Sequence, residues 1–182
     1  MEHKLSSVLE AAHFAAQKHV KQRRKGHAAE PYINHLIEVA ELIASASAEP
    51  DPVTIAAALL HDAIEDADVS REEIIERFGV EVADLVAEVT DDKNLPRAEQ
   101  QRLQIENAPK KSLRAQQIKL ADKISNLRGV LSSPPANWTY EKKMEYLAFS
   151  IAVVSGLRNP NPVLKAEFDR TCKKLTELKV SQ

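Results

Sequence analysis

At 182 residues, with 29% charged and 43% hydrophobic side chains, the chain has the length of about one domain and a composition that excludes whole-chain disorder. Its 25 Lys and Arg against 27 Asp and Glu leave a net charge of −2, which argues against a duplex-coating nucleic-acid protein but permits a local basic patch for a small anion. No apolar run approaches about 18 residues, the MEHKLSS start lacks an apolar signal core, and the single Cys172 has no partner for a disulfide or a thiolate cluster, so a cytoplasmic protein without a membrane segment is expected.

Only four glycines punctuate the chain, and apolar residues recur at three- and four-residue spacing, which predicts helices throughout. The first is expected over Leu5–Lys25, with Leu5, Val8, Leu9, Ala12 and Ala16 inward, ended by the loop Gly26 to Pro31. Asn34 is the expected cap of a second helix carrying Leu36, Val39, Ala40 and Ile43. Asp51-Pro52 opens a third, expected over Val53–Asp66. Ser70 and Glu73 have capping-box spacing before a short helix stopped at Gly79. Val82, Leu85, Val86 and Val89 mark the next, ended by Asp91-Asp92. Further helices fit Pro96–Asn107, Leu113–Leu131, Tyr140–Leu157 and Pro162–Leu178, with Ser112 and Thr139 as caps. There is no repeat and no long heptad run, so one all-α, compact, single-domain helical bundle over residues 1–182 is expected.

Chemistry gathers in Leu59-Leu60-His61-Asp62-Ala63-Ile64-Glu65-Asp66. On one continuous helix, with His61 at zero, Glu65 falls at ~40°, Asp62 at ~100° and Asp66 at ~140°, opposite an apolar arc. Three carboxylates so close repel one another. A solvated acidic helix end is the plain explanation, but a divalent cation would relieve the repulsion and use the imidazole as well. Asp122, inside the apolar stretch Ile118–Ile124, is costly to bury unless paired or bound to metal. Lys119 and Lys123 are its candidate ion-pair partners, and Asn126 follows one turn later on the same face. His35, early in the second helix, reads more often as a structural hydrogen-bonding residue than as a ligand.

In that order, His35, His61-Asp62 and Asp122 resemble the H…HD…D metal set of the HD-domain phosphohydrolases. Arg23-Arg24-Lys25, Pro31-Tyr32-Ile33-Asn34-His35, Ala58 to Asp66, Val89-Thr90-Asp91-Asp92-Lys93 and Lys119 to Lys123 resemble one branch of it. That branch is the hydrolase domain of RelA/SpoT enzymes and the small alarmone hydrolases of the MESH1 type, and the resemblance spans roughly residues 5 to 178. It implies Mn²⁺-dependent removal of the 3′-pyrophosphate from guanosine tetra- or pentaphosphate. By the same resemblance His35, His61, Asp62 and Asp122 are metal ligands and Glu65 and Asp66 the catalytic acidic pair. Arg24, Lys25 and Asn126 bind the nucleotide. Gly129 departs from the family, whose longer members often carry a hydroxyl residue there that touches the nucleotide.

A small guanine nucleotide is thus the expected partner, with no nucleic acid, no membrane, and an oligomer open. Because 182 residues leave no space for a separate synthetase domain, the chain is expected to degrade alarmone and not make it. Two other readings share the motif: an HD phosphohydrolase for another nucleotide, such as a 2′-phosphatase on NADPH, and a non-catalytic nucleotide-sensing module. The cluster at Lys18, Lys21, Arg23, Arg24 and Lys25 also has a purely structural reading, as cations at a helix C-terminus.

Overall fold

In the computed structural model, which describes residues 5–177, the chain runs through α1 (Leu5–Lys18), α2 (Ile33–Ser45), α3 (Pro52–Leu60), α4 (Ala63–Asp66), α5 (Arg71–Phe78), α6 (Val80–Val89), α7 (Arg97–Asn107), a 3₁₀ turn (Ala108–Lys110), α8 (Leu113–Ser132), α9 (Tyr140–Ser155) and α10 (Pro162–Glu177). No strand occurs among the described residues, only an isolated bridge between Arg23 and Pro31. The all-α expectation holds. No helix of the described residues is long and apolar enough to cross a membrane.

The centre is α3, where seven of nine residues are buried and Ala56-Ala57-Ala58 let neighbours approach closely. Its start follows the sequence signal: the Asp51 side chain accepts from Val53 N at 3.2 Å and Thr54 N at 3.3 Å, with Pro52 in the first turn. Against α3 lie α1, α2 and α6, and α8 packs on α2 and carries α10 on its outer side. Buried Ile118, Leu120, Ala121, Ile124 and Leu127 fasten α8 into this core. Two long-buried helices, α3 and α8, therefore hold the loop after Leu60 and the polar residues of α8 in fixed relation.

Other caps also agree with the sequence. Ser70, Ser112 and Thr139 accept from Glu73 N, Ala115 N and Lys142 N respectively. Gly79 ends α5 with φ of 87°, a left-handed conformation that favours glycine. The expected end of the last helix, Leu178, lies outside the described residues.

Three boundaries differ. The first helix ends at Lys18 rather than Lys25, because the apolar stripe stops there and Val20 is solvent-exposed. Instead the segment turns and pairs back on itself, with Arg24 N donating to Glu30 O at 2.9 Å and Tyr32 N to Gln22 O at 3.1 Å. Asn34 does not cap α2. The helix starts at Ile33 without a side-chain cap, and Asn34 lies inside its first turn. Most important for the site, the helix expected over Val53–Asp66 breaks after Leu60. His61 bends its Nδ1 back onto Ala58 O at 2.8 Å, and Asp62 leaves helical geometry with φ of −101° and ψ of 3°. The short α4 then restarts with Asp66 N bonded to Asp62 O.

Candidate metal centre

The break after Leu60 turns His61 and Asp62 toward α2 and α8. His61 Nε2 lies 3.1 Å from Asp62 Oδ2 and 3.9 Å from Asp122 Oδ1, and His35 Nε2 lies 3.4 Å from Asp122 Oδ1 and 3.8 Å from Asp62 Oδ2. Donor atoms of His35, His61 and Asp62 all fall within 4.8 Å of one another. Thus the two imidazoles and two carboxylates expected to share a site do converge.

Both rings present Nε2 inward for a physical reason. His61 Nδ1 faces the Ala58 carbonyl, which only accepts, so the proton of the neutral ring sits on Nδ1. Ser125 Oγ donates to Glu38 Oε2 at 2.6 Å, so it accepts from His35 Nδ1 at 2.8 Å. His35 Nε2 is then left with a bare lone pair, buried and without a hydrogen-bond partner. A buried orphan is costly. The donor set fits a divalent cation of mixed nitrogen and oxygen preference, which would use that lone pair. Tyr32 donates to Asp62 Oδ2 at 2.7 Å, a contact that orients this carboxylate, while Lys123 Nζ lies 3.3 Å from Asp122 Oδ2.

The electrostatics show how much negative charge the site concentrates. Burial pulls the His61 imidazole down, but Asp62 and then Asp122 outweigh it and push it up to about 9. Burial holds the His35 imidazole below its ordinary value, against the pull of Asp122. Burial opposes ionisation of Asp62, yet His61 holds its carboxyl well below the usual range. Asp122 is likewise held low, by Lys123 and the two histidines in spite of burial. Glu65 goes the other way: burial first, then the Asp91, Asp62 and Asp66 charges, push its carboxyl up to about 7. Its Oε2 accepts from Asp91 N at 3.4 Å.

All nine candidate residues line one cavity of about 490 Å³, ample for a nucleotide-sized ligand. Arg24, Lys25 and Asn126 stand on its wall beside His35, His61, Asp62, Glu65, Asp66 and Asp122. Lys119 departs from expectation: it faces Asp91 at 3.7 Å, leaving Lys123 as the cation paired with Asp122. Sequence reasoning overlooked several supports. Ser125 holds His35 across 90 residues of chain and is itself held by Glu38 across 87, separations no local pattern reveals. His19 is buried, stacks on Tyr32 at 5.4 Å, and bonds through Nδ1 to Gln22 Oε1. Gln22 Nε2 in turn donates to Asp66 Oδ2 at 2.9 Å. Trp138, Tyr146 and Phe149 line the cavity as well.

The family profile of the HD domain matches residues 11–148. The chain belongs to the HD-domain family. This HD-domain chain is 45% identical over 162 residues to the guanosine-3′,5′-bis(diphosphate) 3′-pyrophosphohydrolase MESH1 of Xenopus tropicalis, covering 89% of this chain and 90% of the relative. It is 46% identical to the protein of the same name from Homo sapiens, over 88% of this chain and 89% of the relative. Its fold superposes with a TM-score of 0.89 on a solved metazoan ortholog of SpoT, one that hydrolyzes ppGpp and plays a role in starvation responses. That match has 42% identity and covers 94% of this chain and 96% of the other. An HD-domain hydrolase of this kind implies a divalent metal, and His35, His61 and Asp62 have the geometry to hold one.

Proposed function

We propose that this HD-domain protein hydrolyses guanosine 3′,5′-bis(diphosphate), and the corresponding pentaphosphate, at the 3′ position, releasing pyrophosphate. The carrying observation is the buried, partnerless Nε2 of His35 beside His61, Asp62 and Asp122, in a cavity that also holds Glu65. Similarity over about nine-tenths of the chain to proteins named for this reaction supports the substrate. In this reading residues 1–182 work as a single HD-type unit.

His35, His61, Asp62 and Asp122 are the metal ligands; the set, with no thiolate and two hard carboxylates, suits Mn²⁺, the ion that the resemblance implies. Such a cation supplies charge neutralisation at the phosphate and lowers the pKa of water. The chain's own groups do the rest. Glu65, whose carboxyl is already raised by burial and by neighbouring carboxylates, accepts a proton from the attacking water as general base. Asp66, held by Gln22, orients that water. Arg24 and Lys25 offset the polyanion's charge, and Asn126 contacts the nucleotide while its Nδ2 donates to Asp122 Oδ1. Water adds to the phosphorus on the 3′ oxygen, that P–O bond breaks, and the leaving ribose oxygen takes up the proton that Glu65 received from the water.

Two experiments follow from this arrangement. Exhaustive chelation is expected to abolish pyrophosphate release from guanosine tetraphosphate, and Mn²⁺ to restore it. Full activity in the metal-free protein would contradict the metal assignment. In Tyr32→Phe, Asp62 loses the hydroxyl that orients it, so Mn²⁺ affinity measured by titration calorimetry is expected to fall about 10- to 100-fold. An unchanged Kd would show that the hydroxyl does not tune this ligand.

A further inference from the structure

Gly129 lies in the last turn of α8, inside a helix where glycine is less favourable than alanine. A Cβ built on it would lie 2.7 Å from Arg24 Nη2, 3.7 Å from its Cζ and 3.9 Å from its Nε. The three nearest atoms therefore all belong to one guanidinium. Gly26 is a useful contrast: a Cβ there would strike the Ser133 carbonyl oxygen at 2.0 Å, a backbone collision that the fold itself forbids. At Gly129 the obstacle is only the far end of a flexible side chain.

That side chain is held in place. Arg24 Nη1 donates to Asn126 Oδ1 at 3.0 Å, and Nη2 donates to Ser125 O at 3.3 Å. Asn126 continues the contact to Asp122. The atom a Cβ would displace is thus the same Nη2 that anchors Arg24 to α8, beside residues that hold the proposed metal ligands. We propose that Gly129 is a positioning residue acting through Arg24: its missing side chain is the seat that lets the guanidinium dock on α8 and meet the nucleotide already oriented. This rests on the reading of Arg24 as a nucleotide-binding residue. A side chain at 129 forces the guanidinium off Ser125 O and into the cavity, so the cost falls on substrate binding rather than on folding.

The test compares the parent, Gly129→Ala, Gly129→Ser, Arg24→Ala and the Gly129→Ala/Arg24→Ala double variant, by steady-state kinetics on guanosine tetraphosphate at saturating Mn²⁺ and by thermal melts. Gly129→Ala is expected to raise KM about 3- to 10-fold with a much smaller change in kcat. Gly129→Ser places the same Cβ against Nη2 and should raise KM as well. The melting temperature of Gly129→Ala should not fall, because alanine favours the helix. In the double variant KM should match that of Arg24→Ala alone, since the displaced group is already gone. Three results overturn the proposal: an unchanged KM in Gly129→Ala when Arg24→Ala raises it, a Gly129→Ala effect that persists without Arg24, or a marked loss of thermal stability. If Arg24→Ala itself leaves KM unchanged, the nucleotide-binding reading of Arg24 fails first, and the seat fails with it.

Discussion

Replacing His61 by alanine, or Asp122 by asparagine, is expected to strip the protein of its metal and lower kcat/KM by at least about a thousandfold. Each residue offers an atom within 4 Å of two or more other donors, so its loss removes a ligand from the centre of the set. Asparagine is preferred at 122 because Lys123 is buried beside the carboxylate. Alanine there would also remove the oxygen that faces Lys123 Nζ, which asparagine keeps, and mix a folding defect into the result. Metal content per chain, measured by mass spectrometry after dialysis, separates ligand loss from unfolding when read beside the melting temperature. Stoichiometric tightly held metal in either variant would contradict the ligand assignment.

Glu65→Gln has the opposite signature. Glu65 is outside the converging donor set, so the variant is expected to keep its metal while kcat falls about 10²- to 10⁴-fold, the usual contribution of a general base. The pH profile supplies a second handle. Burial and the Asp91, Asp62 and Asp66 charges push the Glu65 carboxyl up to about 7, and a base must be deprotonated to act. In the parent, kcat therefore rises with pH toward this value. A bound cation draws the limb to lower pH, because positive charge favours the carboxylate. Glu65→Gln should lose that limb. A parent-like rate in Glu65→Gln would reduce the acidic pair to a solvated face.

Much of the architecture was legible because local signals agreed with packing. Asp51-Pro52, Ser70, Ser112 and Thr139 cap helices where the sequence indicates, and the period of apolar residues gives the all-α fold. The nine candidate residues line one cavity, as their resemblance to the HD pattern implied. What failed was geometry that side chains impose from a distance or against helical propensity. The wheel drawn from His61 to Asp66 assumed a continuous helix, but the His61 ring bonds Ala58 O and Asp62 meets Tyr32, so the backbone turns between them. Likewise the cations after Lys18 do not extend α1. They sit on a segment that folds back to pair with residues 30 and 31, which brings Arg24 onto α8. The support behind His35, Ser125 held in turn by Glu38, depends on contacts between residues 87 and 90 positions apart and leaves no periodic trace.

The central claim is cleavage beside the 3′ oxygen, and the products of a partial digest test it most directly. Chromatography of guanosine tetraphosphate after limited turnover with Mn²⁺ is expected to show guanosine diphosphate and intact pyrophosphate in equal amounts, with no early orthophosphate. The Arg24 and Lys25 charges would hold the outer phosphate, leaving the inner phosphorus to the water near Glu65 and Asp66. Orthophosphate appearing first, together with a triphosphorylated guanosine, would mean attack on the outer phosphorus and would contradict the account even with every metal ligand in its role.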